Sequence, residues 1–223
     1  MPKTVVIIGA SKGIGKELIN EFSSNDFTVY SFARSFENHS EENIHYAKID
    51  LEDPNFIESF KKTIDSITQI DYLINNAGAI VVKPFTELSH QDILTCYQVN
   101  VIAVMQCIQA CIPKLHSKSH VVSISSMGGF QGSMKFAGLS AYSTSKAAVA
   151  SLTELLAEEY KESGIAFNCL CLGAVQTEML EKAFPGYQAP LNPVEMAKYI
   201  ADFTQNAHNY LKGKIIPVSL TNP

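Results

Sequence analysis

Residues 4–9, TVVIIG, run without a break into GASKGIG, which holds Gly9, Gly13 and Gly15. A short β-branched run, a glycine-rich turn and then Ile14, Leu18, Ile19 and Phe22 at helical spacing restrict the start of this chain to a strand–turn–helix unit. Glycines let the backbone turn sharply and approach a bound group, while the helix start offers free N–H groups and a favourable dipole to an anion. At the first strand of a chain this pattern predicts dinucleotide binding through the diphosphate; tight packing is the other use of such a turn.

The alternation continues. Strands are expected at 27–33, 44–49, 71–74, 120–125, 165–172 and 214–218. Helices are expected at 13–25, about 53–68, 89–114 (closed near Pro113), 140–163 (ended by Gly164) and 193–206 (opened by Pro193). This order implies an α/β fold: a single Rossmann-like, doubly wound domain over residues 1–223, with a mostly parallel seven-stranded sheet and helices on both faces. Residues 178–192 hold two prolines and a glycine and are the least regular stretch, suited to a lid over the sheet's carboxyl edge or to a plain connector.

Composition narrows the partners. Apolar residues make up 46% and charged residues 17%, the balance of a globular core. A formal charge of −5 without a basic tract argues against a nucleic-acid or anionic-membrane surface. No apolar run approaches the roughly 20 residues of a bilayer span, and the N-terminal apolar run is too short for a secretory signal. Five cysteines, at 96, 107, 111, 169 and 171, form no CxxC pair, so a reducing cytoplasmic location without disulfides or zinc is expected. Cys107 and Cys111 read as buried small hydrophobes. The six histidines (39, 45, 90, 116, 120 and 208) read as surface or packing residues, with no metal site.

A dinucleotide fold ordinarily carries an acidic residue about 20 positions beyond the glycine turn, where it binds the ribose 2′-hydroxyl. Here Ala33 and Arg34 stand at that place, and Lys12 lies within the turn. Two cations without a carboxylate suit a 2′-phosphate, which favours NADP(H) over NAD(H); two solvated surface cations are the alternative.

Tyr142 and Lys146, in SAYSTSK, are one helical turn apart and share a face. A tyrosine's pKa is ordinarily about 10, and a neighbouring cation lowers it towards usable proton exchange. With GASKGIG, NNAG (75–78), Ser125-Ser126 and Tyr142-x-x-x-Lys146 in this order, the chain resembles the short-chain dehydrogenase/reductase family from residue 4 to about 218.

That resemblance implies a strand order of 3-2-1-4-5-6-7 and hydride transfer between NADP(H) and a carbonyl or secondary alcohol. Tyr142 would be the acid/base, Lys146 its cation and a ribose ligand, and Ser126 the partner of the substrate carbonyl. Asn100 would complete the tetrad by holding a relay water or, alternatively, would brace the local backbone. Gly9, Ser11, Lys12, Gly13, Ile14, Gly15 and Arg34 would hold the diphosphate and adenosine end. Asp50 and Leu51 would meet the adenine, with helix capping as the other reading of Asp50. Asn76, Ala77 and Gly78 would pass beside the ribose and nicotinamide, with Asn75 bracing the sheet. Gly173, Val175 and Thr177 would hold the carboxamide.

Two departures from the family pattern stand out. Leu172 occupies the usual proline position, which frees the turn. The Ser126–Tyr142 interval is 16 positions, a few more than is common. The 127–139 loop and the 178–192 lid, with Met127, Phe130, Met134, Phe136, Met179, Leu180, Phe184 and Tyr187, would form an apolar pocket for a small-molecule substrate. A homodimer or homotetramer is expected. A non-catalytic NADP(H)-binding sensor or scaffold is the alternative, although its usual sign, loss of the tyrosine or lysine, is missing.

Overall fold

A computed structural model describes residues 2–24, 27–36 and 42–220. The expected helix end at Asn25 and the reading of His39 lie outside the described residues. The chain runs β1 (Lys3–Ile8), α1 (Gly13–Ser23), β2 (Phe27–Ala33), β3 (Ile44–Lys48), α2 (Phe56–Ile64), β4 (Ile70–Asn75), α3 (His90–Tyr97), α4 (Ala103–Cys111), β5 (Leu115–Ser126), α5 (Ser140–Glu159), β6 (Ala166–Leu172), α6 (Glu178–Ala183), α7 (Pro193–Asn206) and β7 (Lys214–Val218). The strands form one parallel sheet in the order β3-β2-β1-β4-β5-β6-β7, as expected.

Strand alternation explains the layers. Val5 and Ile7 of β1 face a cluster with Leu18 and Phe22 of α1 and Met196 and Ile200 of α7. Val6 and Ile8 face the opposite cluster, with Phe60 of α2 and Cys107 and Ile108 of α4. Because both faces are covered, the central strands read as continuous apolar runs rather than as an in–out pattern. Beneath α5, Val149 and Ala150 pack with Cys169 and Cys171 of β6. All five cysteines are free and buried.

Several boundaries differ from expectation. The helix expected at 53–68 is confined to Phe56–Ile64, because residues 50–55 close local turns: the Asp53 N–H donates to the Asp50 carbonyl at 3.1 Å and the Asn55 N–H to Asp53 Oδ1 at 2.9 Å. β5 begins at Leu115 rather than 120, with an irregular register between Ile70 and Tyr72. Ser119 bridges that irregularity, donating to the Ile70 carbonyl at 2.6 Å.

The helix expected at 89–114 starts on a capping box between Ser89 and Asp92, as side chain and backbone of each satisfy the other. It is interrupted at Gln98–Ile102 by a π-helical turn. The continuous helical stretch His90–Lys114 is long and apolar enough to cross a bilayer, an exception to the expectation that no such run exists. In this fold it buries Cys96, Val99, Asn100, Val104, Cys107 and Cys111. Gly164, at φ +82°, stops the segment after α5 as expected.

Candidate active site

The glycine turn is closed from within the sheet. A Cβ at Gly9 (φ +87°) would lie 2.5 Å from Ala77 Cα, and one at Gly15 would lie 1.9 Å from the Gly9 carbonyl oxygen. Asn76 locks the same turn, donating from Nδ2 to that carbonyl at 2.7 Å. Ser11 is partly exposed and Lys12 exposed along the turn, and Ile14 packs against the core behind it. No side chain caps the start of α1, so its first N–H groups face outward for an anion. A shallow glycine cradle and an uncapped helix start fit a dinucleotide diphosphate.

Gly13 faces the opposite wall. Its Cβ position would lie 3.1 Å from Thr177 Cγ2 and 3.5 Å from Glu178 Oε2. Thr177 caps α6, accepting from the Leu180 N–H at 3.2 Å. Between α1 and α6 opens a cleft of about 650 Å³, lined by Gly13, Gln176, Thr177 and charged side chains including Glu178 and Lys182. It adjoins the glycine turn and lies apart from Tyr142.

At the next strand ends, the Ile49 N–H donates to the Ala33 carbonyl at 2.9 Å and brings β2 and β3 together. Arg34 projects there, but not into a carboxylate-free place: Glu52 Oε1 lies 3.1 Å from Arg34 Nη1. The expectation of cations alone is corrected, since the carboxylate comes from the turn after β3, too distant in sequence for the spacing rule. Asp50 is exposed and accepts from the Glu52 N–H at 3.1 Å; it does not cap α2, whose N-cap is Asn55. Leu51 is buried, and its carbonyl accepts from Gln98 Nε2 at 3.2 Å. Asn75 braces the sheet as expected, through Ser123 Oγ at 3.4 Å.

Tyr142 and Lys146 lie in the first two turns of α5, on β5 and β6. Ser125 fixes this helix by donating to the Lys146 carbonyl at 2.7 Å. Lys146 is buried, and its Nζ donates to the Ile124 carbonyl at 2.8 Å; burial pushes its pKa down to about 8. Burial pushes the Tyr142 phenol above its usual range, while a hydrogen bond with Ser126 pulls it back down. Ser126, expected beside the substrate carbonyl, is thus also a hydrogen-bond partner of the phenol.

The long Ser126–Tyr142 interval does not separate the pair. Met127–Gly129 forms a tight turn against α5, where a Cβ at Gly128 would lie 2.7 Å from Ser143 Oγ and one at Gly129 2.6 Å from the Ala147 nitrogen. The extra length follows as an outer loop. Two small residues beside the tyrosine helix were the available signal for this docking, and sequence reasoning passed over them.

Asn100 sits in the π turn with its amide fully engaged. Oδ1 accepts from the Ala79 N–H at 2.7 Å, and Nδ2 donates to the Ala79 carbonyl and to Ser145 Oγ, both at 2.9 Å. Ser145 in turn donates to the Tyr142 carbonyl at 2.7 Å. Asn100 thus ties the chain after NNAG to the tyrosine's own turn of α5 through Ser145, which nothing in the sequence singled out.

The two walls converge on Gly78. Its missing Cβ would lie 3.5 Å from Lys146 Nζ, 3.6 Å from Asn100 Oδ1 and 3.7 Å from Met179 Cε. Met179 brings the 178–192 segment over the site. That segment is pinned at both ends, by pairing of Val175 with Leu191 and by the Ala189 N–H donating to Gln176 Oε1 at 2.7 Å. Gly173 donates to the Val218 carbonyl at 2.8 Å and is held close by Ser219. Leu172 is the last residue of β6 and packs in the core, so the strand's end is fixed by burial and pairing without a proline. Met127, expected in the pocket wall, is buried under α5 instead. Met134, Phe136 and Tyr187 are exposed.

A parallel α/β sheet with a tyrosine, a serine and a buried lysine at its carboxyl edge has the parts of an oxidoreductase acting on alcohols and carbonyls. A family profile described as short chain dehydrogenase matches residues 3–188. The chain is 27% identical to L-2,3-butanediol dehydrogenase of Corynebacterium glutamicum, over 98% of this chain and 97% of that one. It is 30% identical to an NADP-dependent 3-hydroxy acid dehydrogenase of Schizosaccharomyces pombe, over 89% and 85%. Among solved structures, ElxO with NADP bound is 28% identical with a TM-score of 0.84, covering 98% of this chain and 97% of that one. The chain belongs to the short-chain dehydrogenase/reductase family.

Proposed function

We propose that this protein transfers a hydride between NADP(H) and a carbonyl or secondary alcohol, with Tyr142 as general acid/base. The observation that carries this reading is the gathering of Lys146 Nζ and Asn100 Oδ1 around Gly78, beside the turn of α5 that presents Tyr142 to Ser126. The nicotinamide, when bound, supplies or accepts the hydride. Tyr142 gives its proton to the carbonyl oxygen in reduction and takes it from the hydroxyl in oxidation. Ser126 hydrogen-bonds the same oxygen and orients it. Lys146 supplies positive charge and donors at the ribose, and Asn100 holds the turns on either side of it.

Gly9, Ser11, Lys12, Gly13, Ile14 and Gly15 would hold the diphosphate end, with Arg34 on the 2′-phosphate and Asp50 and Leu51 at the adenine. Asn76, Ala77, Gly78, Gly173, Val175 and Thr177 would line the path of the ribose and nicotinamide. NADP is named with ElxO and the S. pombe relative and NADH with a 4-hydroxyisoleucine dehydrogenase of similar fold, so the choice of NADP(H) rests on Arg34 and Lys12. The names of the relatives, among them a diacetyl reductase that forms acetoin, point to small hydroxy-ketones, diols and 3-hydroxy acids as first substrates. Phe130, Met134, Phe136, Met179 and Tyr187 would supply apolar walls, with residues 178–192 as lid. Exposed Ile102, Met105 and Leu155 support a homodimer or homotetramer, and free, buried cysteines suit the cytoplasm.

The test follows NADPH absorbance with acetoin, diacetyl and 3-oxo acids, beside NADPH binding measured by fluorescence. Tyr142→Phe is expected to abolish turnover and retain NADPH affinity. Survival of turnover in that variant would defeat the acid/base assignment. NADPH binding by the wild type with no turnover of any carbonyl would favour the sensor or scaffold reading.

A further inference from the structure

We propose that Glu52 sets the balance between the two nicotinamide cofactors by competing with the cofactor's 2′-phosphate for Arg34. This rests on the assignment of Arg34 to that phosphate. The acidic residue that a dinucleotide fold places at the end of its second strand is missing here, where Ala33 and Arg34 stand. The structure returns a carboxylate to the same place from the turn after β3.

Three contacts fix that return. The Ile49 N–H on the Ala33 carbonyl, at 2.9 Å, aligns the two strand ends. The Glu52 N–H on Asp50 Oδ1 and the Asp53 N–H on the Asp50 carbonyl, both at 3.1 Å, shape the turn. Glu52 Oε1 then lies 3.1 Å from Arg34 Nη1.

The two partners are 69% and 46% exposed, so the ion pair is weak and exchangeable in water. A phosphate arriving at the guanidinium must displace or tolerate the carboxylate, and the repulsion acts against NADPH. NADH brings a hydroxyl instead, which can donate to a carboxylate. Glu52 therefore weakens the phosphorylated cofactor and supports the other. The turn acts as a moderator of preference, whereas Arg34 alone would act as a strict selector.

Fluorescence titration of NADPH and NADH measures this directly, with wild-type protein, Glu52→Gln, Arg34→Ala and the double variant. Glu52→Gln is expected to tighten NADPH binding about threefold to tenfold, leave NADH binding unchanged or weaker, and lose part of this difference as salt screens the site. In the double variant the NADPH gain should vanish relative to Arg34→Ala, since the carboxylate acts through that guanidinium. If Glu52→Gln shifts both cofactors equally or neither, while Arg34→Ala selectively weakens NADPH, the role of Glu52 is overturned and the 2′-phosphate assignment stands. If Arg34→Ala weakens both cofactors equally, the 2′-phosphate assignment falls and the proposal with it.

Discussion

Lys146 donates its buried Nζ to the main-chain carbonyl of Ile124 at 2.8 Å, so an ammonium group is held against the sheet. Burial lowers its pKa from 10.5 to about 8, and the unfolded chain keeps the proton to higher pH than the folded one. Between those values the unfolded state binds more protons, so folded stability rises with pH through that window and is penalised below it. Lys146→Met, similar in length and without charge, should therefore stabilise the protein near pH 7 by on the order of 2 kcal/mol while abolishing turnover. Melting curves of the two proteins from pH 7 to 10.5 should converge as the wild-type lysine loses its proton. A variant that melts lower than wild type at pH 7 would contradict this.

The phenol of Tyr142 is raised by burial and eased by Ser126. In the proposed mechanism alcohol oxidation uses the Tyr142 phenolate, so its rate should climb as pH passes the tyrosine's pKa. Ser126→Ala removes the stabilising hydroxyl, raises that pKa and should move the acidic limb of kcat/KM to higher pH, besides lowering the plateau about 100-fold. Initial rates of alcohol oxidation carried from pH 7 to 11 would show it, and an unmoved limb would assign Ser126 to substrate orientation alone.

His120 is buried on β5, with Nδ1 2.9 Å from the Thr204 carbonyl and Nε2 2.9 Å from Asn168 Nδ2. The Asn168 amide can only donate to Nε2, which fixes Nδ1 as the protonated nitrogen of a neutral ring. Its pKa falls from 6.5 to about 4, mainly through burial, with His208 adding repulsion. The His208 ring lies 5.4 Å away, and its own pKa is lowered by burial and by Lys3 and Lys212. The unfolded chain binds more protons between pH 6.5 and 4, so stability should fall on acidification through that window by on the order of 3 kcal/mol from His120. Denaturant melts at pH 7, 5.5 and 4.5 would measure it. His120→Gln should flatten the dependence.

Glycines in the chain differ sharply in what they permit. A side chain at Gly15 would collide with the Gly9 carbonyl at 1.9 Å, whereas one at Gly186 (φ +81°) meets nothing within 4 Å. Gly15→Ala should cost about 3 kcal/mol or more and abolish NADPH binding, because the turn must open. Gly186→Ala should cost about 1 kcal/mol from its backbone conformation alone. Thermal melts with and without NADPH would separate the two.

The glycine turn and the placing of Tyr142 and Lys146 on one helix were legible because strand alternation and helical spacing are local in sequence, whereas the sheet order, a non-local property, came from the family resemblance. Glu52 was not legible: its meeting with Arg34 depends on the register of β2 on β3. The π turn at Gln98–Ile102 was also hidden, since Val99, Asn100 and Val101 continue an apolar helical pattern through it. Asn100 itself was visible as a polar residue in an apolar helix, but its three bonds to Ala79 and Ser145 required the fold. Spacing on α5 puts Lys146 near Tyr142, but the contact of its Nζ with the Ile124 carbonyl was not legible, because it depends on how that helix packs on β5.

α5 holds Tyr142 and Lys146 at one end and buries Val149, Ala150 and Thr153 further along, so these two side chains share the stiffness of the core. The loop 130–139 and the segment 178–190 are mostly exposed and touch that machinery at few points, among them Met179 at Gly78. Substrate scope is therefore an exchangeable property of this scaffold. Both loops can be recombined or shortened to admit a different alcohol, with α5 and the residues it carries left as they are.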